Sequence, residues 1–301
     1  MINMEVNIGG LKLKNPVMTA SGTYGFGKEY SEYYDLSKLG AVVVKGLTLK
    51  PREGNKAPRI AETPAGILNS VGLQNPGIEA FLQQELPFLR QYNAAVIANI
   101  AGNTVEEYCQ MADKLGTSVD AIELNISCPN VKEGGVAFGT KCDSVYGITK
   151  AVKQHCKVPL IVKLSPNVTD ITEIALAAEE AGADCLSLIN TLLGMSIDIN
   201  TRKPILANVV GGLSGPAVKP VAVRMVYQVA KAVNIPVIGM GGISSWQDAI
   251  EFVLAGADAV AIGTYNFVNP NAPIEIIEGL LQYMKKNNYK SLSDFKGKIE
   301  I

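Results

Sequence analysis

Along the chain, short apolar runs alternate with longer stretches in which apolar residues recur every three or four positions. Eight runs read as strands: 16–20 (PVMTA), 41–45 (AVVVK), 94–99 (AAVIAN), 120–125 (DAIELN), 159–164 (PLIVKL), 185–190 (CLSLIN), 235–240 (IPVIGM) and 258–263 (DAVAIG). Most are continuously apolar, the pattern of parallel strands buried on both faces. Helical patterns lie between them. In the one at 104–115, Thr104 followed by Glu107 predicts a capping box. Those at 170–181 and 245–255 are stopped by Gly182 and Gly256, and the next strand begins at once.

Eight strands in strict alternation with helices predict an α/β fold, a (β/α)8 TIM barrel forming a single domain over 1–301. An open doubly wound sheet is disfavoured because no GxGxxG follows the first strand. A barrel takes about 250 residues, which leaves about fifty. These fall at 4–14, a predicted hairpin capping the barrel bottom, and at two top-face insertions, 47–73 and 191–215.

Composition then narrows the function classes. With 48% hydrophobic and 18% charged residues in 301, the chain has material for a large core. A net charge of −1 offers no basic excess for nucleic acid or an anionic membrane. The five cysteines, 109, 128, 142, 156 and 185, form no CxxC, which argues against a zinc ribbon, an iron–sulfur site or a disulfide scaffold. The first ten residues lack a signal peptide's apolar stretch, and no run of about 18 apolar residues occurs, so a cytoplasmic setting is expected.

In a barrel, chemistry gathers at the C-terminal ends of the strands. Those ends read Ser21-Gly22, Lys45-Gly46, Asn99, Asn125 with Ser127 and Cys128 behind it, Lys163, Asn190-Thr191, Gly241-Gly242 and Gly263-Thr264. No Asp or Glu stands there, and the sole histidine, His155, falls late in a helix. Histidine base catalysis, paired-carboxylate hydrolysis and a metal site are therefore not expected. Singly, a strand-end Lys or Asn is a cap or a turn former. As a set, amide and ammonium donors predict a planar, polar, anionic ligand. The clusters Gly211–Gly215, Gly241–Gly242 and Gly263–Thr264 mark a phosphate cradle. Cys128 precedes a proline and a glycine-bearing segment, a predicted lid over about 129–140, and a rim thiol near lysine suits a nucleophile or base.

These motifs carry a resemblance over essentially the whole chain. "NPVMTASGTYGFG", "VVVKGLTLKPREGNKAPRIAETPAGILNSVGLQNPG", "ELNISCPNVKEGG", "VKLSPNVTD", "GGLSGPAVKP" and "IPVIGMGGISSWQDAIEFVLAGADAVAIGT" are similar to class 1 dihydroorotate dehydrogenases. The resemblance implies FMN across the barrel mouth and oxidation of dihydroorotate to orotate in pyrimidine biosynthesis. The 47–73 excursion and the lid resemble the NAD-linked subgroup, class 1B, whose catalytic chain, expected as a homodimer within a heterotetramer, works with a partner subunit carrying FAD and a [2Fe–2S] cluster. The alternatives are the fumarate-linked class 1A homodimer, a related flavin barrel acting on another pyrimidine, and a non-catalytic barrel binding a phosphorylated ligand. The resemblance implies that Cys128 is the base removing the C5 proton while the C6 hydride leaves for flavin N5. Lys45, Asn69, Asn125, Asn190 and Thr191 would hold the substrate, with Ser70, Val71, Gly72 and Leu73 adding backbone groups. Ser21, Lys45, Gly46, Asn99, Asn125, Lys163, Ile189, Gly215, Gly241, Gly242, Gly263 and Thr264 would hold FMN. No metal ligands are implied.

Overall fold

A computed structural model describes residues 2–127 and 138–300. Eight parallel strands close into a barrel: β1 (Val17–Thr19), β2 (Ala41–Val43), β3 (Ala95–Ile100), β4 (Ala121–Asn125), β5 (Leu160–Lys163), β6 (Cys185–Leu188), β7 (Val237–Met240) and β8 (Ala259–Ile262). Each pairs with its neighbours in sequence, and β8 closes onto β1. All eight fall on the apolar runs identified above. The helices are α1 (Val105–Leu115), α2 (Cys142–Lys153), α3 (Ile171–Glu180), α4 (Lys219–Ala232), α5 (Trp246–Leu254) and α6 (Ala272–Lys286).

Alternation with helices is less strict than the sequence predicts. Between β1 and β2 the described chain makes only two 3-10 turns, Tyr30–Glu32 and Leu36–Lys38. Gly25 and Gly27 break that stretch at positive φ, and Tyr24, Tyr34 and Leu36 anchor it to the core. Between β2 and β3 lie three short helical turns, Ile78–Ala80, Phe81–Glu85 and Leu86–Leu89. The Thr104 capping box is half formed. Thr104 Oγ1 accepts from Glu107 N at 3.3 Å, but the Glu107 carboxylate takes the N–H of Asn103, one residue earlier. A complete box caps α5, between Ser245 and Asp248.

Two apolar layers hold the barrel. One, between strands and helices, includes Val42, Val96, Ile122 and Val162. The other fills the barrel's lower interior with Met18, Ala41, Val43, Ile97, Ala121, Ile161, Cys185 and Ile238. The interior alanines are too small to fill that space alone. Ile8 and Leu13, from the hairpin Val6–Ile8/Leu11–Leu13, join them, and both are almost wholly buried.

The two top-face insertions form one structure. Strands Ile60–Thr63 and Gly66–Asn69 pair with Val210–Ser214, which pairs with Leu192–Met195, giving a four-stranded antiparallel sheet. Gly211 to Ser214 therefore belong to a strand rather than a loop, and Gly215, at φ 104°, makes the turn after it. This sheet and its connection expose Ile60, Leu193, Met195, Ile197, Ile199 and Val210. Among the described residues no helix is long and apolar enough to cross a membrane.

Candidate active site

A cavity of about 420 Å³ opens at the C-terminal end of the barrel, between the strand ends and the insertion sheet. Ser21 follows β1; Lys45 and Gly46 follow β2; Asn99 lies in β3, Asn125 ends β4 and Lys163 ends β5. Ile189, Asn190 and Thr191 follow β6, Gly241 and Gly242 follow β7, and Gly263 and Thr264 follow β8. Asn69 ends its sheet strand, Ser70 to Leu73 run on from it, and Gly215 follows another sheet strand. Every one of these residues lines the cavity. Cys128, and residues 129–137 of the predicted lid, lie outside the described residues; 138–140 form a 3-10 turn, Phe138–Thr140.

The cavity floor is polar and tightly wired. Asn99 Nδ2 donates to Glu123 Oε2 at 2.5 Å, and Ser187 Oγ donates to Glu123 Oε1 at 2.7 Å. The Lys163 ammonium lies 3.9 Å from Glu123 Oε2 and 3.4 Å from Ser21 Oγ. Asn125 Nδ2 donates to Asn99 Oδ1 at 3.4 Å, and Asn190 Nδ2 donates to Asn125 Oδ1 at 3.3 Å. On the far wall, Asn69 Nδ2 donates to the Gly212 carbonyl at 3.3 Å. Among the described residues the buried Ser70 Oγ has no hydrogen-bond partner, and Ser70 is one of the residues that line the cavity. A buried hydroxyl left this way is costly unless a ligand completes it.

Lys45 differs from Lys163. None of the ion pairs among the described residues includes it. Burial, and then the Arg59 guanidinium nearby, hold its ammonium below the usual lysine range. An anion brought beside it would reverse that penalty.

Part of the cavity lining is made by glycines, Gly215, Gly241, Gly242 and Gly263. Gly242 sits at φ 74°, and a Cβ there would come within 2.9 Å of the Gly215 carbonyl oxygen and 2.8 Å of Lys219 Cβ. The Gly242 turn thus packs directly on the Gly215 carbonyl and on Lys219, which leaves no room for a side chain at 242. Thr264 donates its hydroxyl to Ser214 Oγ at 2.8 Å beside them. This fits a phosphate, which backbone N–H groups and a hydroxyl hold when nothing bulkier intervenes. The amide-lined floor fits a planar ring with C=O and N–H edges. The donor set therefore fits a flavin mononucleotide with a small planar anion beside it.

Sequence reasoning missed Glu123, a carboxylate just inside the rim. The strand end was read as Asn125, so Glu123 passed as part of an apolar run. Alternation places it on the same face as Ala121, in the barrel interior, and a charge there is the signal that marks it. It also missed Ser187 on β6 and Asn167, which donates to the Thr191 carbonyl at 3.0 Å and accepts from Leu193 N at 2.9 Å.

A family model described as dihydroorotate dehydrogenase matches residues 3–284. A protein of Thermoanaerobacter pseudethanolicus is 62% identical over 301 residues, the whole of both chains; it bears the name dihydroorotate dehydrogenase B (NAD(+)), catalytic subunit. Proteins of the same name from Alkaliphilus metalliredigens and Caldicellulosiruptor saccharolyticus are 63% and 57% identical, over 99% and 100% of both chains.

Proposed function

The chain belongs to the dihydroorotate dehydrogenase family, and from that premise we propose that it is the FMN-bearing subunit of an NAD-linked enzyme that oxidises dihydroorotate to orotate in pyrimidine biosynthesis. The observation that carries the reading is that asparagine amides, two lysines and the glycines 215, 241, 242 and 263 line one cavity. We read 1–301 as one barrel domain.

In this reading the substrate's ring edges meet Asn69, Asn125 and Asn190, each able to donate and accept. Thr191 and the backbone of Ser70, Val71, Gly72 and Leu73 complete its wall. The Lys45 ammonium faces the substrate carboxylate. Cys128 takes the C5 proton as general base. The chemistry that FMN supplies when bound is acceptance of the hydride leaving C6. Ser21, Gly46, Asn99, Ile189 and Lys163 hold the flavin ring, and Lys163 contributes positive charge where the reduced ring carries negative charge. Gly215, Gly241, Gly242, Gly263 and Thr264 hold the phosphate.

The electrons pass to NAD through a partner subunit carrying FAD and [2Fe–2S], the chain itself being a homodimer in a heterotetramer within the cytoplasm. Two observations support a partner. The relatives are named catalytic subunits, and the sheet beside the cavity exposes apolar side chains of the kind that interfaces bury.

Lys45 gives a direct test. An anionic ligand favours the protonated ammonium, so orotate affinity is full while Lys45 is charged. It falls as pH rises through the Lys45 pKa, which burial and Arg59 have brought below the ordinary lysine value. Lys45→Met should weaken orotate binding roughly 10- to 100-fold at neutral pH, the loss of a charge-assisted contact. It should also remove the part of the alkaline fall that lysine causes. Titrations of both proteins across the alkaline range measure this; parallel profiles would take Lys45 off the carboxylate.

A further inference from the structure

We propose that Glu123 is a positioning residue: its buried carboxylate anchors the amide chain of Asn99, Asn125 and Asn190 by accepting from the Asn99 NH2, and it offsets the charge of Lys163. It thereby shapes both the edge offered to the pyrimidine and the potential of the flavin. The inference rests on the site reading above and deepens it.

Glu123 is 2% exposed and does not line the cavity, so it acts only through its neighbours. Those neighbours form one interior layer on adjacent strands. Asn99 stands opposite Glu123 in the β3–β4 register, and Ser187 opposite Lys163 in the β5–β6 register. Barrel closure brings them together although they are far apart in sequence.

A carboxylate has no hydrogen to give. Asn99 must therefore turn its NH2 to Glu123 and its carbonyl to Asn125. Asn125 must answer with its own NH2, which leaves its carbonyl for Asn190 Nδ2 and for Ser127 N at 3.3 Å. Asn190's carbonyl then accepts from Thr191 N at 2.7 Å. Each amide alone has two nearly isosteric orientations. With an obligate acceptor at one end of the chain and an obligate donor, a backbone N–H, at the other, only one arrangement satisfies every link. The hydrogens and lone pairs left facing the cavity are thus set jointly by Glu123 at one end and by the backbone N–H groups of Ser127 and Thr191 at the other.

The second consequence is electrostatic. The carboxylate lies beside Lys163, so a flavin that Lys163 helps to hold would meet a partly neutralised cation rather than a bare one. Removing the negative charge should favour the reduced, anionic flavin.

Two variants separate these roles. In Glu123→Gln the side-chain carbonyl can still accept from Asn99, and its NH2 can donate to Ser187, whose hydroxyl rotates to accept. Amide direction survives and the charge is lost. Glu123→Met has similar length and no strong acceptor, so both are lost. Flavin potential is read by dye-equilibrated reductive titration, and orotate affinity by direct titration. Glu123→Gln should raise the potential and keep orotate affinity within roughly threefold of the parent, whereas Glu123→Met should weaken orotate by roughly tenfold or more. A residue that merely fills space would leave the Gln potential unchanged. That result, or equal orotate affinities for Gln and Met, overturns the proposal. If the Met protein does not fold, the Gln potential decides alone. A parent protein that releases no FMN on acid denaturation, or binds no orotate, overturns the site reading itself and Glu123's role with it.

Discussion

Cys128→Ser should keep FMN and orotate affinity yet slow reduction of the flavin by dihydroorotate at neutral pH by about 10²–10⁴-fold, the usual worth of a placed general base. A serine hydroxyl holds its proton far more tightly than a thiol, so little of it is competent near pH 7. The deficit should narrow as pH rises, because more of the base form becomes available. The parent's rate should level off at a lower pH than the variant's. Anaerobic stopped-flow bleaching of the flavin across pH reads both. A serine protein as fast as its parent at pH 7 would remove Cys128 from its role and leave the rim without a base.

Lys163→Ala should lower flavin content and make the flavin that remains harder to reduce. Lys163 is 5% exposed, and its removal leaves Glu123 as an uncompensated buried charge where positive charge is needed. Breaking a buried pair in this way costs about 3–5 kcal/mol. The 3.9 Å separation and the hydrogen bonds Glu123 keeps from Asn99 and Ser187 put this case toward the lower end. The sign is the diagnostic: this substitution lowers the potential, while Glu123→Gln raises it. Combining the two should recover part of the lost stability, since neither charge is then left alone. Unchanged flavin content and potential in Lys163→Ala would make it an ordinary strand-end lysine.

The barrel was legible because its strands are buried on both faces and so read as unbroken apolar runs, such as AVVV at 41–44 and LIV at 160–162. The rim was legible once strand ends were known, because a barrel brings all eight ends to one face. What pairs across long separations was not. Asn69 and Gly212 are 143 residues apart, and nothing local in 47–73 or 191–215 says that they share a sheet. The glycine run 211–212 read as a phosphate loop for that reason, although it packs as a strand against Asn69 and Thr191. Glu123 was hidden differently. Its partners Asn99, Ser187 and Lys163 come from three other strands, so only the closed barrel reveals that its charge is answered.

The proposed function requires this chain to oxidise dihydroorotate on its own flavin and to hand the electrons to NAD only through a partner. The direct test adds dihydroorotate and NAD anaerobically to the purified chain, alone and then with the FAD- and cluster-bearing subunit restored. Alone, the flavin should bleach while NADH formation stays negligible; with the partner, NADH should form continuously. Robust NAD reduction by the lone chain would contradict that function, as would fumarate turnover by the lone chain matching the reconstituted NAD rate.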